Sequence, residues 1–233
     1  MKRYSVLFLT GAVFMMVNAI HAGDNINALS KEEKKQGWKL LFDGKSLDGW
    51  RVYRKKDTKG WVVKDGAIHL TKGGSGDLMT MEKYGDFEFS IDWKFVKGNN
   101  SGIIYRVKEM NGPPWATGPE MQVMSQNPKD KLGDTSGGSL YDMYAPKVNA
   151  FKGKDQWTTY KVKCQGNHIQ HYVNGELVVD TEIGSKDWQE HLAKSKWKSR
   201  KTFATVPVGH ITLQDHGAQI MFRNVKIRVL DKE

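Results

Sequence analysis

The sequence predicts an all-β fold: a single jelly-roll β-sandwich with only minor short helices. Three observations carry this expectation. From Asp86 to Val96 the residues alternate strictly, with Phe87, Phe89, Ile91, Trp93 and Phe95 on one face and Asp86, Glu88, Ser90, Asp92 and Lys94 on the other. That is the pattern of an antiparallel strand buried on one side. About a dozen short strand-like runs follow one another along the chain, separated by turn residues, and such a series with little helix reads as a sandwich. The dipeptides Asp65-Gly66, Gly98-Asn99 and above all Asn174-Gly175 supply turn chemistry between those runs.

Taken in order, the first residues form a separate unit. Lys2 and Arg3 precede an uncharged apolar run from Val6 to Val17, and small residues follow. Residues 1–22 therefore read as a secretory signal peptide, cleaved after Ala19 or Ala22. A spanning helix needs about 20 apolar residues, so this run predicts no stable membrane span and the chain is expected in the periplasm or outside the cell. Residues 23–36 are a polar spacer and a short helix, in which Ser30 and Glu33 make a capping box and Gly37 ends the helix. Residues 37–233 form the jelly-roll domain.

Within that domain strands are expected over Trp38–Phe42, Trp61–Val63, Ala67–Leu70, Leu78–Met81, Asp86–Val96, Gly102–Val107, Pro119–Met124 and Leu140–Tyr144. Further strands follow over Trp157–Cys164, His168–Val173, Leu177–Asp180, Gly209–Gln214 and Gln219–Val229. In the last of these the apolar phase slips from Ile220 and Phe222 to Val225, Ile227 and Val229, which predicts a bulge near Arg223 and Asn224. A second helix is expected over Lys186–Lys196, where Trp188 and Leu192 lie four residues apart and can pack together. No repeat is visible.

Charge and cysteine content exclude several classes. Without Lys2 and Arg3, 34 basic residues face 26 acidic ones, a net +8. The excess is spread along the chain, and its one cluster, Lys194, Lys196, Lys198, Arg200 and Lys201 around Trp197, reads as a solvated loop. Together with export, this argues against a nucleic-acid partner. Cys164 is the only cysteine, so no intramolecular disulfide forms and the fold rests on its core. It lies in a strand-like run and is expected to pack rather than react.

The nucleophile elbow, phosphate loop, dinucleotide fingerprint, zinc-protease helix and EF-hand loop are all missing. So is the paired-carboxylate strand pattern of β-sandwich glycosidases, which weakens ordinary double-displacement hydrolysis. His168 and His171 lie three apart on a strand and point to opposite faces, so they do not readily chelate one ion. Gln214 and His216 share one polar face, opposite Ile211 and Leu213, and a plain solvent face gives the same pattern. Glu120 and Gln122 share a face opposite Met121 and Val123, and Glu120 suits an acid or a base. Arg106 shares a face with Gly102 and Ile104, where its fixed cation serves a site or a surface salt bridge. Trp115 and Tyr141 offer flat faces on which sugar rings stack, with core packing the alternative for Tyr141.

Seven segments, taken together, resemble one known family. They are Leu40–Trp50, Tyr84–Glu88, Asn100–Arg106, Gly118–Gln122, Gly166–Gly175, Leu213–Gly217 and Phe222–Ile227. In this order they resemble the 3-keto-disaccharide hydrolases, over about Gly37 to Leu230. The resemblance implies a concanavalin-like jelly roll with 3-keto-α-glucoside 1,2-lyase and 3-keto-2-hydroxy-glucal hydratase activity. It also implies export and a functional link to sugar oxidoreductases that install or remove the 3-keto group. Tyr172 stands where the family often has tryptophan, and Lys194–Lys201 looks like a local insertion that alters substrate entry.

Such a reaction needs a base at C2, a stabiliser for the enolate and an acid for the departing oxygen. On this resemblance His171 or Glu120 is expected as the base, Arg106 with Gln122 as the enolate support, and His216 as the proton donor. Gln122, Gln214, Asp215, Trp115, Tyr141, Asp142 and His168 are expected to contact the sugar. No cofactor is identified. A divalent cation held by His and Glu side chains is an alternative to Arg106. The competing functions are a noncatalytic carbohydrate-binding module of the same fold and an adhesive surface protein.

Overall fold

A computed structural model describes residues 26–231, so the expected signal segment and its cleavage site lie outside the described residues. The chain enters through the capping box: the Ser30 hydroxyl accepts from Glu33 N–H at 3.1 Å and Glu33 accepts from Ser30 N–H at 2.9 Å. This starts α1 (Lys31–Lys35), and Gly37, at φ +82°, follows its C-terminus. The strands are then β1 (Lys39–Leu40), β2 (Trp50–Val52), β3 (Trp61–Lys64), β4 (Ala67–Leu70), β5 (Leu78–Thr80) and β6 (Phe87–Lys97). Next come β7 (Ser101–Val107), a 3-10 turn at Pro114–Ala116, β8 (Glu120–Val123), β9 (Thr158–Gln165), β10 (His168–Val173) and β11 (Glu176–Glu182). After α2 (Lys186–Lys194), β12 (His210–Leu213) and β13 (Gln219–Val229) complete the order.

These strands build two antiparallel sheets. The larger has the order β11-β10-β9-β6-β13-β4-β3, and β1 also pairs with β13, beyond its bulge. The smaller has the order β2-β5-β12-β7-β8. Asp65-Gly66 and Asn174-Gly175 take positive φ at both residues and close the β3–β4 and β10–β11 hairpins, as I′ turns require. Gly98-Asn99 does something else. Strand β6 pairs in the larger sheet and β7 in the smaller, so this turn carries the chain from one sheet to the other.

The inward faces follow the alternation. Phe87, Phe89, Ile91 and Trp93 of β6 and Ile220, Phe222, Val225 and Ile227 of β13 meet Ile103, Tyr105, Met121, Val123, Ile211 and Leu213 of the smaller sheet in one buried cluster. Each such fully buried large side chain contributes roughly 1.5–3 kcal/mol. Cys164 is fully buried among them, and burial pushes its thiol up to about 12, so it packs as a small apolar side chain. Trp188 of α2 is buried against the same cluster and Leu192 packs beside it.

The phase slip in β13 is a bulge: Arg223 pairs with Asp92 and Lys226 with Ser90, so two residues on β13 go unmatched against one on β6. Asn224, at φ +52°, sits in it and donates from its side chain to Asp92 at 2.7 Å. Two expectations change. Trp50–Val52 is a strand too short to show alternation, whereas Leu140–Tyr144 forms only isolated bridges, because Asp142 at φ +60° turns the chain. Among the described residues, no helix is long and apolar enough to cross a membrane.

Candidate active site

On β7, β8 and β12 the residues between the core positions face away from the larger sheet. Gly102, Glu120, Gln122 and, just past β12, Gln214 therefore share the outer face of the smaller sheet. Gly102 pairs with Gln122 and Ile104 with Glu120. A Cβ on Gly102 would stand 2.2 Å from Glu120 Oε1, so the missing side chain is the niche that holds the carboxyl. Glu120, Gln122 and Gln214 form the floor of a cavity of about 200 Å3.

Loops supply the walls. Trp115 comes from the 3-10 turn, Tyr141 from the segment after β8, Asn100 from the crossover into β7 and His216 from the turn after β12. Lys196 and Trp197, from the segment after α2, complete the rim. The Lys196 ammonium lies 4.0 Å from the centre of the Tyr141 ring and 4.5 Å from that of Trp197, a cation held between two aromatic faces.

Polar contacts on the floor are only partly satisfied. With its amide turned so that nitrogen faces acceptors, Gln122 donates to Glu120 Oε1 and to Ser101 O, both at 3.1 Å. Gln214 fixes its backbone by donating to Gly102 O at 2.9 Å, while its side-chain Oε1 is buried with no partner among the described residues. An unpaired buried acceptor at a cavity wall is unfavourable until something donates to it. Burial pushes the Glu120 carboxyl up to about 8; the nearby Lys196 cation opposes the shift and Asp77 adds to it. Asp77, which accepts from Asp215 N–H at 2.7 Å, is itself pushed up to about 6, first by burial.

The structure brings Glu120, Gln122, Gln214, His216, Trp115 and Tyr141 together, and separates the other expected site residues from them. His171 points into the core, fully buried, because it shares its face with Ile169 and Val173. Its Nδ1–H donates to Gly138 O at 3.3 Å, so Nε2 accepts from the Tyr105 hydroxyl at 2.8 Å. Burial holds this imidazole down to about 4.

Arg106 is turned off its expected face by a bulge. Strand β7 places Tyr105 and Arg106 opposite the single residue Ile211, and Arg106 takes φ +52°. Its guanidinium donates to Gly85 O at 3.0 and 2.9 Å and pairs with Asp86 at 3.2 Å. His168 lies on the outer face of the larger sheet, 2.5 Å from Asp180. Asp215 and Asp142 act through the backbone. Asp215 accepts from Ser75, Gly76 and Gly217 N–H, and Asp142 accepts from Lys196 N–H at 2.6 Å. Among the described residues, no three His, Cys, Asp or Glu side chains come together as a metal-binding group.

Comparison with known proteins fits this architecture. Residues 37–228 match the family described as the 3-keto-alpha-glucoside-1,2-lyase-like domain. The chain belongs to that family. Every residue of the cavity, from Asn100 to His216, lies inside the span matched by the 3-keto-alpha-glucoside-1,2-lyase-like domain. A 3-keto-disaccharide hydrolase of Bacteroides thetaiotaomicron is 31% identical over 229 residues, which cover 84% of this chain and 79% of that protein. A crystal structure from Parabacteroides distasonis, assigned provisionally as a glycosyl hydrolase, superposes with a TM-score of 0.81 at 34% identity. That match covers 89% of this chain and 100% of the other. A second structure with the same assignment and source gives 0.64 at 25% identity, over 83% and 99% of the two chains.

Three cavity residues escaped the sequence reading: Asn100, Lys196 and Trp197. Asn100 stands two residues before Gly102 in a segment that carried the family resemblance. Lys196 and Trp197 lie in the basic cluster read as a solvated loop and as an insertion that alters substrate entry, but neither residue was singled out for the site.

Proposed function

We propose that this protein is an exported carbohydrate-active enzyme that cleaves 3-keto-glucosides by elimination across C1 and C2 and hydrates the resulting 3-keto-2-hydroxy-glucal. The observation that carries the reading is Glu120, a desolvated carboxyl on the floor of a cavity walled by Trp115, Tyr141 and Trp197. A surface that only binds glycans has no need of a buried, basic carboxylate. The aromatic walls suit the apolar faces of a sugar ring, and Gln122, Gln214 and Asn100 suit its hydroxyls.

A ketone at C3 acidifies the hydrogen at C2. In this reading the Glu120 carboxylate takes that proton, and the C2–H electron pair passes into an enolate whose charge rests on the C3 oxygen. The pair then forms the C1–C2 double bond as the C1–O bond breaks, and His216 protonates the departing oxygen. Hydration runs the same path backwards: His216 takes a proton from water as its oxygen adds at C1, and Glu120 returns a proton to C2. Net hydrolysis follows, and the reaction upstream must oxidise a glucoside at C3. That links this protein to sugar oxidoreductases, and the signal-like residues 1–22 assign the work to the periplasm or the exterior.

The test is incubation of the purified protein with a 3-keto-glucoside in deuterated water, followed by NMR. Aglycone release with deuterium at C2 is expected. Replacing Glu120 or His216 with alanine should lower turnover by about 10^2–10^4-fold. If the folded wild type neither releases aglycone nor exchanges C2, with or without added divalent cation, the enzyme reading fails. Binding of unoxidised glycans without turnover would then favour a carbohydrate-binding module.

A further inference from the structure

The reaction above places negative charge on the C3 oxygen, and the cation expected to meet it, Arg106, is committed to Gly85 and Asp86. Lys196 is the cation that lines the cavity instead. We propose that Lys196 is a catalytic residue whose ammonium stabilises the enolate oxygen, with residues 195–204 as a strap that fixes it there. This rests on the reading of the site as a 3-keto-glucoside lyase.

The placement is built, not incidental. Among the described residues Lys196 forms no ion pair with any carboxylate, so its charge is available to the cavity. Its backbone N–H donates to Asp142 at 2.6 Å, and the next residue, Trp197, donates from its indole to Tyr141 O at 3.1 Å. Tyr141 N–H in turn donates to Glu120 O at 2.9 Å. Three hydrogen bonds thus relate the carrier of the cation to the backbone of the proposed base. Ser195, buried, closes α2 by donating to Leu192 O and accepts from Trp197 N–H, which sets the direction in which the strap leaves the helix.

Aromatic packing holds the strap from below. The Trp197 ring stacks on Phe203 at 4.8 Å and 6°, and Phe203 stacks on Trp188 of α2. On the far side Thr202 donates to Ala116 O and Ala204 N–H to Thr117 O, beside Trp115. The strap therefore spans the cavity from the Tyr141 loop to the Trp115 turn. The Tyr141 and Trp197 ring faces hold the ammonium by cation–π attraction. Lys196 is exposed at the rim, and a preorganised cation aimed at developing charge acts mainly on the transition state. No proton leaves Lys196: Glu120 accepts the one from C2 and His216 supplies the one for the leaving oxygen.

The experiment compares wild type, Lys196→Gln and Lys196→Arg for C2 exchange and aglycone release, with thermal melting to establish folding. Lys196→Gln should lose about 10^2–10^3-fold in kcat with KM changed only a few-fold, as for loss of an oxyanion donor. Lys196→Arg should recover part of that loss. The titratable groups around Glu120 are Lys196 from the strap, Tyr141 and His216 from the cavity walls, and Asp77 just before β5. Removing the cation should therefore also move the ascending inflection of kcat/KM to higher pH, which a purely structural role would not do. Turnover by wild type with kcat retained in folded Lys196→Gln overturns this proposal alone, as does a loss confined to KM. Absence of turnover in wild type overturns the lyase reading and this proposal with it.

Discussion

Glu120 is held where a carboxylate is costly, and that gives it two measurable signatures. Its folded-state pKa of about 8 lies above the usual 4.5, first because of burial. As the proposed base it would work only when ionised, so kcat/KM for C2 exchange should rise with pH and level off above about 8. A profile that falls through that range would make Glu120 the acid instead. The stability signature has the opposite slope. A raised carboxyl pKa contributes stability that is complete below about 4.5 and is lost as pH rises through about 8. Glu120→Gln, neutral at every pH, should therefore melt above wild type by a margin that grows with pH, reaching roughly 5 °C or more by pH 9. Equal margins at pH 5 and pH 9 would contradict the buried, high-pKa carboxyl. The residue itself was legible: parity set Glu120 and Gln122 on one face. Its niche was not, because the space comes from Gly102 on a neighbouring strand.

Among the elements, β10 shows how far alternation reaches. The parity that sets Ile169, His171 and Val173 on one face was present in the sequence, and the apolar neighbours mark that face as the core side. A polar residue on an apolar face belongs to a partner inside, here Tyr105 across the sandwich. His171→Leu should therefore cost about 1–3 kcal/mol of stability by leaving the Tyr105 hydroxyl without its acceptor, while kcat in the folded fraction stays within a few-fold. A loss of 10^2-fold or more in folded protein would return His171 to the chemistry. Its imidazole, held down to about 4, adds stability present above pH 6.5 and lost as pH falls through about 4. The wild type should lose melting temperature over that interval more steeply than His171→Leu. Arg106 illustrates the limit of parity: one extra residue in β7 turns it away, and only the pairing with β12 reveals the bulge.

At the scale of the whole molecule, the two ends of the described chain are tied together across the larger sheet. Asn27 N–H donates to Asn224 Oδ1 at 2.7 Å, Asn224 N–H donates to Asn27 Oδ1 at 2.8 Å, and Asn27 Nδ2 donates to Gly66 O at 2.7 Å. The bulge in β13 is thereby sealed by a residue 197 positions away. Asn27→Ala should destabilise the protein by about 1–3 kcal/mol, read as a lower denaturation midpoint with unchanged cooperativity; an unchanged midpoint would show that water replaces the tie. The slip that marks the bulge was readable, but its partner was not. Asn27 lies in a polar spacer with no periodicity, and the bond that defines it spans almost the entire chain. The same holds for the site: its floor follows from strand parity, and its walls come from loops brought together only by the complete fold.

The strap across the cavity differs from the sheet that forms its floor in one respect. Its bonds run to loops and a helix end, with no strand ladder on either side. Local opening is easiest where few ladder bonds must break, so amide protons of residues 195–204 should exchange with solvent well before those of β12 and β7. Under the proposed function, brief undocking of this one segment would admit the sugar while both sheets stay intact. In the proposed reaction, loosening the Trp197–Phe203 stack would then change access to the cavity while leaving its floor, Glu120, Gln122 and Gln214, in place.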